Sequence, residues 1–200
     1  QAREVNSLGT CSNPIDWKTG RTVELLSQGE SALWHILRWD DDVVDIREQY
    51  PLDLKQTFKI SGKFGIQHPG KNPMTTDLLA TMRDGRLIAY SLKPSKAVLN
   101  NKRTVEKLFL EKMYWTKQNV EFRLIYKSDI NMTLYHNIRL VVEFYDAKFV
   151  HDDASVLKHL IATKQVSVDM ESAILSIRKL KPIYEKEIAI WRRNSMSVTF

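Results

Sequence analysis

The chain has 200 residues, 43% hydrophobic and 27% charged, with a formal net charge of +6. That is enough apolar content for a packed core, in one large domain or in one medium domain with a small appendage. No run approaches the roughly 18 apolar residues of a membrane span, the single cysteine, Cys11, excludes an internal disulfide framework, and the positive balance favours a polyanionic partner. No signal-peptide pattern is visible at the start, so a reducing, bacterial-type cytoplasm and no membrane partner are expected. The chain opens on Gln1 rather than Met, which leaves room for residues upstream.

In chain order, residues 1–21 are polar, contain Gly, Asn and Pro, and show no clear period, which reads as an irregular arm. Ser27-Gln28-Gly29-Glu30 has capping-box spacing, with serine at the N-cap and glutamate three residues on. Ala32, Leu33, Ile36 and Leu37 then recur at helical spacing. Asp40-Asp41-Asp42 closes this helix into a turn, and Val43 to Gln49 reads as a strand ending before Pro51. Residues 52–73 are mixed and read as a loop. Two apolar runs follow, Met74 to Met82 and Leu87 to Pro94, joined by Asp84-Gly85, a hairpin turn signal.

A basic loop, 95–103, leads to an amphipathic helix over 104–118, on which Lys107 and Glu111 form a surface pair four residues apart. Residues 120–126 read as a strand by their β-branched and aromatic content. The pattern to this point is α/β, a mixed sheet flanked by helices over 22–127. Lys127 to Asn131 reads as a linker. A small helical domain over 128–200 follows, with helices expected at 134–149, 154–163 and 169–180 and a helix-turn-helix or winged-helix character. Beyond them lies a basic last stretch with Arg178, Lys179, Lys181, Lys186, Arg192 and Arg193.

The hairpin carries the candidate chemistry. Its geometry brings Asp77, at the start of one strand, beside Lys93, at the end of the other. Asp77 is either a strand-edge polar residue or a ligand for a hard divalent cation, which takes carboxylate oxygens, waters and phosphate oxygens. Lys93 is either an edge-strand lysine blocking aggregation or a charge that stabilises a developing anion. Ser91 shares the face of Lys93, since side chains alternate along a strand, and the Leu92 carbonyl is a further candidate ligand. Glu30 is explained by helix capping, a role compatible with pointing into a metal site. His68 sits in a nearby loop, and Lys63, Lys71, Lys96, Lys102 and Arg103 are candidate phosphate contacts. No Gly-rich phosphate loop and no zinc pattern is present.

The blocks Leu25-Leu26-Ser27, Glu30, Leu37-Arg38-Trp39, Val44 to Leu52, Gly65 to Pro69, Met74 to Asp77, Leu92-Lys93-Pro94, Arg103 to Leu108 and Tyr114-Trp115 run in one collinear order over about 18–127. In this the chain resembles TnsA, the endonuclease subunit of heteromeric cut-and-paste bacterial transposases. The resemblance implies a restriction-endonuclease-like core. It implies a site in which Glu30, Asp77 and Lys93 are catalytic, and in which Glu30, Asp77, Ser91 and the Leu92 carbonyl hold Mg²⁺, or Mn²⁺ in its place. Gln49 stands in a strand close to such a site. The implied role is cleavage of the 5′, non-transferred strands at transposon ends. The implied partners are transposon-end DNA, a DDE transposase, TnsB, and an AAA+ regulator, TnsC, engaged through the C-terminal module. Ser91 occupies the family's glutamine position, which keeps open a second reading: a catalytically weakened assembly factor bridging transposase, regulator and DNA.

Overall fold

In the computed structural model, which describes residues 11–196, the Asp84-Gly85 turn is formed as its residue types dictate. Gly85 takes φ +84°, a left-handed conformation that costs a glycine little. Its N–H donates to the Met82 carbonyl, and the Asp84 carboxylate accepts from Arg86 N–H. Around this turn β2 (Thr75–Met82) and β3 (Leu87–Lys93) pair antiparallel. Strand β1 (Val43–Pro51) pairs antiparallel on the outer side of β2, and β4 (Glu121–Tyr126) pairs parallel with β3. The result is a mixed four-stranded sheet in the order β1-β2-β3-β4.

Helices flank it. Helix α1 (Gln28–Trp39) contacts β1 and β2, and α2 (Leu54–Lys63) packs on α3 (Lys102–Lys117). Leu79 and Ala89 from the sheet, Ile60 from α2, and Leu110, Tyr114 and Trp115 from α3 form one buried cluster. Mixed sheet and flanking helices together make a restriction-endonuclease-like α/β fold. Gly29 lets α1 come close to the end of β3: an added Cβ there would lie 2.8 Å from Leu92 Cδ2. Among the described residues no helix is long and apolar enough to cross a membrane.

The chain divides into two compact units, one of residues 11–14 and 23–130 and a second of residues 15–22 and 131–196, counting described residues. The second unit is helical over 131–196, with α4 (Met132–Val142), α5 (Asp153–Ala162), α6 (Ile177–Leu180) and α7 (Glu185–Met196) and no described strand. Its core gathers Ile138 and Val141 from α4, Val156, Leu157, Leu160 and Ile161 from α5, and Ile188 from α7.

Several sequence expectations need correction. Residues 11–21 are not an irregular arm: Ser12 bridges Leu25 and Ile15 bridges Thr22, with the Asp16 carboxylate organising the tight turn at Lys18 and Thr19. Residues 1–10 lie outside the described residues. The segment 52–73 is not all loop, because α2 occupies its first half. Its buried positions are Thr57, Ile60 and Ser61, two of them polar, so no apolar stripe shows in the sequence. Their hydroxyls are satisfied within the helix, Thr57 by the Asp53 and Leu54 carbonyls and Ser61 by that of Phe58.

The helix expected at 134–149 stops at Val142, where the Asp146 side chain caps a separate 3₁₀ turn at Ala147–Phe149. The helix expected at 169–180 is mostly irregular until α6. The fully buried Asn137 explains this by donating to the Met170 and Ala173 carbonyls and accepting from Leu175 N–H. Side chains that take backbone groups in this way compete with a helical ladder. The basic last stretch is partly helix α7, anchored by the buried Ile188 and by Trp191 against His159.

The turn geometry yields a first test. Gly85→Ala places a Cβ in the left-handed region and is expected to destabilise the protein by about 1–2 kcal/mol, read as a shift in the urea midpoint at unchanged slope.

Candidate active site

The site begins where two strands part. The last Cα pair between β2 and β3 is Leu78–Tyr90, whereas β3 stays paired with β4 out to Lys93–Tyr126. The next residue outward on β2 is Asp77. Its carboxylate replaces the missing ladder bond: Oδ2 accepts from Leu92 N–H at 2.6 Å. The same oxygen lies 3.5 Å from Lys93 Nζ. The ammonium donates also to Ser91 Oγ at 3.0 Å and to the Leu92 carbonyl at 2.9 Å. One cation therefore sits among three oxygens of three chemical types. Asp77 and Lys93 are partly exposed, with side-chain accessibilities of 21% and 25%, so solvent reaches them.

Glu30 comes to the same end of the sheet from α1. Ser27 Oγ caps the helix by accepting from Glu30 N–H. The Glu30 carboxylate folds back, accepting from Ser27 Oγ at 3.1 Å and from Leu26 N–H at 3.2 Å. A third donor is Gln49 Nε2, also at 3.2 Å. The capping and site readings of Glu30 are thus one geometry. Burial holds its pKa above the usual carboxylate value, and the charge of Asp77 pushes the same way, against the lowering effect of the three hydrogen bonds.

Gln49 lies across from Asp77, between the pairs Glu48–Leu78 and Tyr50–Thr76. Its φ of +47° is unusual for a residue with a side chain and puts strain in the strand. Its carboxamide spans two elements, donating to Glu30 and accepting from Thr75 Oγ1 at 3.1 Å.

A fourth ionisable group was missed by the sequence reading, which put Glu111 on the surface with Lys107. Glu111 is 4% exposed. Trp115 Nε1 donates to Thr76 Oγ1 at 2.7 Å, and Thr76 donates onward to Glu111 Oε1 at 2.8 Å. Burial, with Asp77 nearby, raises the Glu111 carboxyl to about 7. The sequence signal was present: Leu108, Glu111 and Trp115 recur at helical spacing on the buried stripe of α3.

The remaining candidates divide. Lys71 and Lys93, with Lys107 and Glu111, line a cleft of about 400 Å³ whose wall is the 69–75 segment. His68 does not join the carboxylates. Its ring contacts the Gly70 backbone and Thr57 Oγ1, and stacks on Phe58 at 3.9 Å. Arg103 is engaged by Glu106 and the Gln67 carbonyl, Lys96 lies over the Tyr126 ring, and Lys102 is nearly fully exposed beside Glu106. Among the described residues no three His, Cys, Asp or Glu side chains gather as a ready metal cage. The donor set that fits a hard cation is the mixed one already around Lys93 Nζ: a carboxylate, a hydroxyl and a backbone carbonyl.

A sheet whose central strands part to present an aspartate and a lysine, with a glutamate delivered from the first helix, is the arrangement of a restriction-endonuclease-like protein. Residues 40–127 match the family model described as TnsA-like endonuclease N terminal, which takes in Gln49, Asp77, Ser91, Lys93 and Glu111. The transposon Tn7 transposition protein TnsA of Escherichia coli is 35% identical over 164 residues, covering 79% of this chain and 59% of that relative. The chain is similar to these proteins over the residues matched, and it spans 59% of the length of the curated relative it matches.

The buried glutamate supplies a pH test. Its folded pKa of about 7 lies above the ordinary value of 4.5, so between these limits the folded protein holds a proton that the unfolded chain has released. This contribution is fully present below about pH 4.5 and is lost as pH rises to about 7, a change on the order of 3 kcal/mol. Glu111→Gln keeps an acceptor for Thr76 and removes the titration. Denaturant unfolding at about pH 5 and about pH 8 is expected to show the wild type losing stability relative to this variant on going to the higher pH. A pH-independent difference overturns the assignment.

Proposed function

We propose that this chain is the endonuclease subunit of a heteromeric transposase and cleaves the 5′, non-transferred strands at transposon ends. The observation that carries the reading is the Lys93 ammonium held by Asp77 Oδ2, Ser91 Oγ and the Leu92 carbonyl at the parted end of β2 and β3. The TnsA likeness supports it. Phosphodiester hydrolysis needs positive charge at the scissile phosphate, a positioned water and fixed ligands for a divalent ion.

Asp77, Glu30, the Leu92 carbonyl and Ser91 are the residues that would hold Mg²⁺ or Mn²⁺. When bound, such an ion supplies Lewis acidity and lowers the pKa of a coordinated water. The protein's own contribution is positional. Leu92 N–H fixes the rotamer of Asp77, while Leu26 N–H and Gln49 fix that of Glu30. Lys93 carries a positive charge into the cleft, where it stabilises the charge that builds on the phosphate oxygens. Lys71 and Lys107 line the same cleft and neutralise flanking phosphates without reading bases. The helical unit, residues 131–196, engages the partner proteins, a DDE transposase of the TnsB kind and an AAA+ regulator of the TnsC kind.

A second reading rests on Ser91. It is 1% exposed, and its hydroxyl accepts from Lys93 rather than being offered to solvent. A site short of one ligand suits an assembly factor that bridges transposase, regulator and DNA. Calorimetric titration with Mn²⁺ separates the two readings: saturable binding in the wild type that Asp77→Ala removes supports the nuclease, and its absence supports the bridge.

For the nuclease, Asp77→Ala is expected to abolish 5′-strand nicking in the reconstituted transposase while the chain still folds and assembles into the complex. Nicking at the wild-type rate by that variant overturns the proposal.

A further inference from the structure

Helix α2, absent from the sequence reading, carries a feature that costs it stability. Lys55, Lys59 and Lys63 recur every four residues and are all exposed. Lysines four apart on a helix are neighbours and repel each other. Lys55 also lies in the first turn, at the positive end of the helix dipole, where a cation is unfavourable. No acidic residue lies within the helix, and Asp53 at its N-cap is engaged with Gln56 N–H. Among the described residues none of the three ammonium groups has a carboxylate partner. A solvated helix gains by breaking such a stripe with a glutamate, and this one keeps it whole.

The stripe is joined to the cleft. Phe58, on the same helix and 46% exposed, stacks on His68, and Thr57 bonds the other side of that ring. His68 begins the segment whose next residues, 69–75, wall the cleft that holds Lys71 and Lys93. Three lysines at this spacing extend over about 12 Å of helix. One strand of a DNA duplex presents three to four phosphates over about that length.

We propose that α2 is a phosphate-tracking face. On it Lys55, Lys59 and Lys63 contact the sugar-phosphate backbone of duplex DNA beyond the segment that enters the cleft, without sequence preference. The proposal rests on the nuclease reading and extends it from the site of cutting to the flanking duplex.

The test is the salt dependence of binding to a labelled duplex with no transposon-end sequence, using the full chain and the triple variant Lys55→Gln, Lys59→Gln, Lys63→Gln. Each lost phosphate contact lowers the slope of log K against log salt by about 0.9. The triple variant is therefore expected to show a slope shallower by about 2.7, with a melting temperature equal to or above that of the wild type. A wild-type slope in the triple variant overturns the proposal while leaving the nuclease reading intact. So does an unchanged slope accompanied by loss of assembly with the transposase, which makes the stripe a protein-binding face. A wild type that shows no salt-dependent binding to any duplex also overturns the proposal, while the nuclease reading is decided by nicking in the reconstituted transposase. Asp77→Ala is expected to retain the full wild-type slope, since it removes no phosphate contact.

Discussion

The hydrogen bond from Leu92 N–H to the Asp77 carboxylate is the interaction on which the site depends. Where β2 and β3 stop pairing, two sets of backbone groups would face a gap. An aspartate at that step closes it with a charged acceptor, and charge-assisted bonds of this kind are short and strong. The carboxylate is thereby locked on the edge of the gap with its remaining oxygen free to take another ligand. Everything else converges on it: the ammonium two strand positions beyond Ser91, the glutamate from α1, and the buried glutamate of α3.

The close packing of α1 gives Glu30 its place. Gly29 permits that helix to approach Leu92, so the residue that follows it arrives beside the parted strands rather than above them. Burial then works against ionisation of Glu30, and three donors work for it. Burial prevails, so the carboxyl stays above its usual range while the three donors fix its orientation. Glu111 shows the same contest decided the same way and more strongly, since its bond to Thr76 does not offset its desolvation. Serine in place of a longer amide also changes what lies behind Lys93. The short Ser91 hydroxyl accepts from the ammonium directly behind it.

Much of the sheet was legible because its signals are local. Two apolar runs and the Asp84-Gly85 turn between them identified β2 and β3, and the Ser27–Glu30 spacing identified the start of α1. That Asp77 and Lys93 stand side by side followed from hairpin geometry alone. Helix α2 was hidden because Thr57 and Ser61 occupy buried positions and bond back to their own helix. Glu111 was hidden by a charge pattern that looks like a surface pair, although it falls on the buried stripe of α3 with Leu108 and Trp115, where it meets Thr76. In the second unit, Asn137 organises the 169–176 segment from 33 to 38 residues away in sequence. No window on the chain contains such a constraint.

The strained residue Gln49 has a mechanical meaning. Its amide joins Thr75, at the mouth of the cleft, to Glu30 on α1, and its backbone is held in a conformation that those bonds help to maintain. Loop wall and helix are thus linked by a single taut side chain. The Glu30 carboxylate and a residue lining the groove are in this way joined through one side chain.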